Sequence, residues 1–238
     1  MGLKKTKIHE GNSKKLYESE KENELIQEFK DDVIAGAGEK AVKIKGKGII
    51  NNQISAHLFK FLDSYNIPSH FIDQPSSREM VVKKLKMIPI EVIIRNVASG
   101  EMAKKFGIEE GKELECPIIE YYLKDEERQD PMINEDHIVA FGHATTEELK
   151  EIHRLSSKAN AILKDFFRRR DLKLIDFTLE FGRYDRRIYV GDEISPETCR
   201  FVDLQTGKKI DRYILSKDVK AAEEIYTEIK ERILGGLM

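Results

Sequence analysis

The chain has 238 residues, 40% of them hydrophobic, which suffices for one large domain or two small lobes sharing a core. Charged residues make up 35%, yet the signs nearly cancel at a formal −2, so no global field argues for nucleic acid or an anionic membrane. Cys116 and Cys199 lie far apart and outside C-x-x-C spacing, the N-terminus runs into polar sequence without a signal segment, and no apolar run nears the roughly 18 residues of a membrane span; a cytoplasmic protein with reduced thiols is expected.

In chain order, Lys7–Glu10 and Lys15–Glu18 flank Gly11-Asn12-Ser13 and read as a hairpin, followed by a short strand over Glu24–Phe29. Ile54, Leu58, Phe61 and Leu62 form the stripe of an amphipathic helix that ends near Asn66-Ile67-Pro68. Met80–Leu85 is β-rich; Met87-Ile88-Pro89 is expected to break it, with a strand resuming over Ile90–Arg95. That pattern predicts a hinge between two lobes near Pro89, dividing the chain into 1–88 and 89–238.

The second half carries two long helices. Thr145 and Glu148 form a capping-box signature ahead of an apolar stripe from Leu149 to Phe166. Val219 to Ile233 repeats the pattern, and Gly235-Gly236 stops it. Between them, Leu174–Gly182 and Arg187–Asp192 read as a β-hairpin, and the whole as α+β.

Chemistry concentrates in that hairpin. Alternation puts Asp176, Thr178 and Glu180 on one face of the first strand and Phe177, Leu179 and Phe181 on the core side. The polar face is either solvated or a site. Asp192 and Glu193 follow a glycine, opposite Glu180, and carboxylates gathered this way call for a cation among them. Hard oxygen ligands suit Mg²⁺ bound to a nucleotide's phosphates, held by Glu180 and Asp192. Asp192 reaches the polar face if Gly191 breaks the strand. Gly11 to Lys15 could cradle phosphates or be a plain hairpin turn. Arg95, delivered by an apolar strand into the small-residue loop Asn96–Gly100, suits phosphate or carboxylate capture, and Arg200 lies in a similar loop. No Walker A loop is present, no Rossmann pattern follows Gly36-Ala37-Gly38, and the protein-kinase motifs are missing.

Taken in order, these segments resemble the SAICAR synthetase family from about Lys7 to the C-terminal helix. The carrying stretches are Glu10-Gly11 through Tyr17, Gly46-Lys47-Gly48 with Asn51-Asn52, Val82–Leu85 with Met87-Ile88-Pro89, Glu91 through Gly100, Asp130-Pro131-Met132, Asp176 through Gly182, and Gly191-Asp192-Glu193 with Ser195-Pro196 and Arg200. The resemblance implies two lobes around an ATP cleft. One is an N-terminal antiparallel-sheet lobe like a kinase N-lobe, the other a larger C-terminal α+β lobe. It also implies a ligase of purine biosynthesis that joins carboxyaminoimidazole ribonucleotide (CAIR) to L-aspartate with ATP and Mg²⁺.

Carried over to this chain, Gly11 and Lys14 match the phosphate loop, Lys83 a lysine near the phosphates, and Met87 the hinge that meets adenine. Glu180 and Asp192 match the metal ligands. Arg95, Ser99 and Arg200 match contacts to the ribonucleotide phosphate, Asp130 lies near the imidazole, and Asp130 or Asp176 is the expected base. The partners implied are small molecules, with neither nucleic acid nor membrane; a homodimer is among the assemblies allowed. The chain departs from the family pattern at Asn12 and Thr178, where lysine is usual, at Glu101, where serine is usual, and at Glu197 and Thr198, where Asp and Ser are usual. The competing readings are a small-molecule kinase in the same cleft and a nucleotide-binding module without activity.

Overall fold

The computed structural model describes residues 6–33, 42–211 and 218–235; Gly36-Ala37-Gly38 and Gly236 lie outside them. The first strands are β1 (Lys7–Glu10), β2 (Lys14–Glu18), β3 (Glu24–Phe29), β4 (Asp32–Val33) and β5 (Val42–Lys43). Helix α1 (Lys47–Ser64) follows, then β6 (Phe71–Asp73), β7 (Glu79–Lys83), β8 (Lys86–Val97), α2 (Gly100–Phe106), β9 (Glu113–Leu123), β10 (Met132–Ile133), α3 (Glu135–Ala140) and α4 (Thr146–Arg168). The remainder is β11 (Leu172–Tyr184), β12 (Arg187–Val190), β13 (Cys199–Asp203), β14 (Lys209–Ile210) and α5 (Val219–Leu234).

The fold is α+β with two principal antiparallel sheets. One runs β1-β2-β3-β7-β6, the other β10-β9-β8-β11-β13-β14, with β12 paired to β11. The chain passes between sheets at Lys84-Leu85, where β7 ends and β8 begins. This corrects the expected break at Met87-Ile88-Pro89: β8 runs unbroken through Pro89. Proline is tolerated there because the β8–β11 register shifts between Glu180 and Gly182, so its missing N–H falls at an irregularity in the ladder.

The helices form as their patterns require. On α1, Ile54, Leu58 and Leu62 are fully buried. The helix starts earlier than the apolar stripe because its first turns bury Lys47, Asn51, Asn52 and Ser55 instead. Asn66, in the left-handed region at φ 57, and then Pro68 end the segment. On α4, Thr145 accepts from the Glu148 amide at 3.2 Å and Glu148 accepts from the Thr145 amide at 2.8 Å, completing the capping box. The apolar face of α4 (Leu149, Ile152, Leu155, Ala159, Leu163) packs on the larger sheet, and α5 packs on α1. One continuous core joins both sheets and these helices.

Two backbone bonds also tie the sheets. The His70 amide donates to the Val190 carbonyl at 2.8 Å and the Val190 amide to the Pro68 carbonyl at 2.9 Å. Beside them, Gly182 and Gly191 lie under the passage between sheets. A Cβ on Gly182 would stand 2.7 Å from Leu85 Cβ and 3.0 Å from Met87 Sδ. Gly182→Ala is therefore expected to cost about 1–3 kcal/mol in urea unfolding through overpacking. An unchanged unfolding midpoint would contradict the close approach.

Candidate active site

The site grows from β11 and the strands beside it. In β11, Phe177, Leu179 and Phe181 face the core, each no more than 1% exposed. Asp176, Thr178 and Glu180 take the opposite face, as alternation dictates. The hairpin turns back through Asp185 and Arg186, both in the left-handed region, into β12. That strand ends at Val190, and Asp192 has φ 58, a conformation Asp tolerates. The chain thus leaves strand geometry at Gly191, whose amide donates to the Glu180 carbonyl at 2.8 Å. Asp192 thereby escapes the core-facing parity of Ile188 and Val190.

Here the first sheet delivers the β1–β2 loop. The Gly11 amide donates to the Lys14 carbonyl at 2.9 Å and closes the turn. Lys14, the first residue of β2, donates to Asp192 Oδ1 and to Glu193 Oε1, each at 2.6 Å. Burial alone would lower the Lys14 pKa, but the charges of Asp192 and Glu193 outweigh it and raise it. Lys124, just past β9, donates to Glu180 Oε1 at 2.5 Å. The Glu180 carboxyl is pushed up to about 7, first by burial and then by the Asp192 charge, with Lys124 opposing. Two carboxylates that repel each other and lean on lysines form a donor set of hard oxygens. Among the described residues no group of three or more His, Cys, Asp or Glu could hold a metal by itself. The pair therefore fits an ion that takes two carboxylates and completes its shell with phosphate oxygens and water.

A second cluster lies further along the same strand. Asp176 is flanked in register by Arg95 on β8 and Arg200 on β13. Arg200 thus stands on a strand, which corrects its expected place in a loop; direct cross-strand pairing needs that position. Arg200 Nε donates to Asp176 Oδ1 at 2.7 Å, and its second nitrogen donates to Oδ2. Arg95 donates to Asp176 Oδ2 at 3.1 Å and to Glu120 Oε2 at 2.6 Å. Ser99 stands at the N-cap of α2 but makes no side-chain cap. Its hydroxyl instead accepts from Arg200 at 2.9 Å. Two guanidiniums and a hydroxyl around one carboxylate leave donors to spare for an incoming phosphate.

The other expected residues are placed as follows. Met87 is 41% exposed at the start of β8, beside Gly182. The Lys83 ammonium lies near the Ser69 and Phe71 carbonyls at 3.4 and 3.5 Å and over the Tyr189 ring. Asp130 is in the left-handed region at φ 45 and accepts the Asp125 amide at 2.7 Å. Both cysteines are free thiols, Cys116 exposed and Cys199 buried. Lys124, Glu120, Ser13 and Ser195 also join the site. Lys124 carries no motif, and Glu120 lies on β9, a strand absent from the sequence reading; Glu193 stood in plain view beside Asp192.

Comparisons with known proteins bear on the chain as a whole. The family model described as SAICAR synthetase matches residues 7–233. A phosphoribosylaminoimidazole-succinocarboxamide synthase from Prosthecochloris aestuarii is 46% identical, covering 95% of this chain and 97% of its own length. The crystal structure of the enzyme of that name from Ehrlichia chaffeensis superposes with a TM-score of 0.92 at 41% identity, over 96% of this chain and 98% of that one. A SAICAR synthetase in complex with ADP gives 0.90 at 41%, over 95% and 97%. The strand that carries Glu180 at one cluster and Asp176, between Arg95 and Arg200, at the other thus sits in a chain similar to these proteins over nearly its full length, and the chain belongs to the SAICAR synthetase family.

Proposed function

We propose that this chain joins CAIR to L-aspartate with consumption of ATP, yielding SAICAR, ADP and phosphate in purine biosynthesis in the cytoplasm. The observation that carries it is the pairing of two sites along one strand. Lysines and carboxylates meet at the Glu180 end of β11 and arginines gather at its Asp176 end. A triphosphate at the first and a phosphorylated substrate at the second would bring γ-phosphate and carboxylate together. Residues 1–88 would hold the nucleotide and residues 89–238 the metal and CAIR, with the passage between sheets at Lys84-Leu85 rather than at Pro89.

The chemistry divides among the chain's own residues. Gly11 and Lys14 receive the phosphates, and Met87 offers an exposed surface to adenine. Glu180 and Asp192 would hold Mg²⁺, which neutralises charge on the phosphate oxygens when bound. Arg95, Ser99 and Arg200 seize the CAIR phosphate, with Asp176 aligning the two guanidiniums. The γ-phosphoryl group passes to the CAIR carboxylate, giving an acyl phosphate and ADP. The aspartate amine then attacks the acyl carbon, forms the amide and expels inorganic phosphate. Positioning and charge neutralisation supply most of the rate. Asp176 is saturated by cations and suits alignment better than proton abstraction. Asp130, exposed and in no ion pair among the described residues, suits the base.

The test is a coupled ADP-release assay. ADP release beyond one equivalent of enzyme should require CAIR and aspartate together, and aspartate should outperform other amino acids. ADP release with CAIR alone, accompanied by a stable phosphorylated product, would instead establish a small-molecule kinase.

A further inference from the structure

We propose that Glu193 is a positioning residue, a buried anchor that fastens the phosphate loop to the loop carrying Asp192. The inference rests on reading Gly11–Lys14 as the nucleotide's phosphate loop. Glu193 is 1% exposed, yet it is a carboxylate with partners on both of its oxygens. Oε1 accepts the Ser13 hydroxyl at 2.9 Å and the Lys14 ammonium at 2.6 Å, both from the loop between β1 and β2. Oε2 accepts the Ser195 hydroxyl at 2.5 Å.

Behind Ser195 stands a rigid support. The Ser195 hydroxyl accepts the Glu197 amide at 3.1 Å. The Glu197 carboxylate accepts the Tyr226 hydroxyl of α5 at 2.7 Å and lies 3.1 Å from the Lys47 ammonium at the start of α1. The next amide after Glu193, that of Ile194, donates to Ser55 of α1 at 3.2 Å. One side of Glu193 is therefore built into the helices, and its other side grips a surface loop.

Asp192 differs in the respect that matters. Its side chain is 23% exposed, against 1% for Glu193, and it shares the Lys14 ammonium. When a cation and a triphosphate draw Asp192 away, Glu193 still holds Lys14 and Ser13. The carboxylate that keeps the loop in place is thus separate from the one that changes partner. A buried charge-assisted bond of this kind is worth more than an exposed one, because neither group can turn to water instead.

The experiment uses Glu193→Gln in the full chain, read in two ways. Amide hydrogen exchange in the nucleotide-free protein should be roughly tenfold faster or more at Gly11 and at Lys30, whose amides close the loop onto the Lys14 and Ser13 carbonyls. Exchange in β11 should not change. In turnover, the Michaelis constant for ATP should rise roughly tenfold, while those for CAIR and aspartate stay within about twofold. Unchanged loop exchange, or all three constants rising together, would overturn the proposal; the second result would mean a general loss of structure. Should Glu193→Gln not fold, Ser13→Ala removes one of the loop's two bonds to the carboxylate without stranding a charge, and the same two readouts decide. The exchange arm contains no substrate. A wild-type chain that shows the anchor there but releases no ADP with CAIR and aspartate would sink the ligase reading and leave the anchor standing.

Discussion

Glu180→Gln is expected to cut ATP-dependent turnover at least roughly a thousandfold, about 4 kcal/mol of transition-state stabilisation, while the chain melts at or above the wild-type temperature. The two halves of this result have one cause. The Glu180 carboxylate is buried beside Asp192, and its ionised form is penalised enough to carry its pKa to about 7. In the folded chain without ligands, an amide of the same shape removes that repulsion. Lys124, left without its partner, is 42% exposed and stays solvated. During the reaction, however, an amide cannot replace a carboxylate as a hard anionic ligand. Thermal melts beside the ADP-release assay check both halves. Turnover within tenfold of wild type would remove Glu180 from the proposed metal-holding pair.

Arg95→Ala is expected to cost about 3–5 kcal/mol of folding stability as well as activity, because it strands buried charge. Arg95 is 9% exposed and holds two carboxylates, Glu120 at 2.6 Å and Asp176 at 3.1 Å. Arg200 would remain on Asp176, and the Tyr122 hydroxyl, 3.1 Å from Glu120, would remain there. Neither replaces the lost guanidinium between them. At roughly 2–4 °C per kcal/mol for a chain of this size, the melting temperature should fall by about 6–20 °C. Adding Glu120→Gln should restore part of the loss, because the two residues share one interaction and their effects do not add. A urea-unfolding change below about 1 kcal/mol for Arg95→Ala would show that these carboxylates do not need it.

Local signals carried much of the fold. The strand over Glu24–Phe29 and the capping box at Thr145 lie where local pattern puts them. The face of β11 that carries Asp176 and Glu180 does so as well, since a strand's period of two leaves little freedom once Phe177, Leu179 and Phe181 seek the core. The break near Met87-Ile88-Pro89 was misplaced because proline signals a stop only where its N–H is needed, and the register shift on β11 removes that need. Strand β9 was missed because Glu113, Glu115 and Cys116 are exposed and its apolar stretch Ile118-Ile119 is short. Ser195-Pro196 reads as a turn and so suggests a loop at Arg200, whose strand position depends on pairing with Asp176. The identity of Lys124 as the counterion of Glu180 spans 56 positions and left no local trace.

The two bonds joining Pro68 and His70 to Val190 have a mechanical meaning. A cleft between two sheets invites comparison with a jaw, but here the jaw is riveted beside its hinge and backed by one uninterrupted core. Swinging the sheets apart would break both rivets and wet the contact of α1 with α5. Substrate entry and product departure are therefore left to short surface segments rather than to a swing of one sheet against the other.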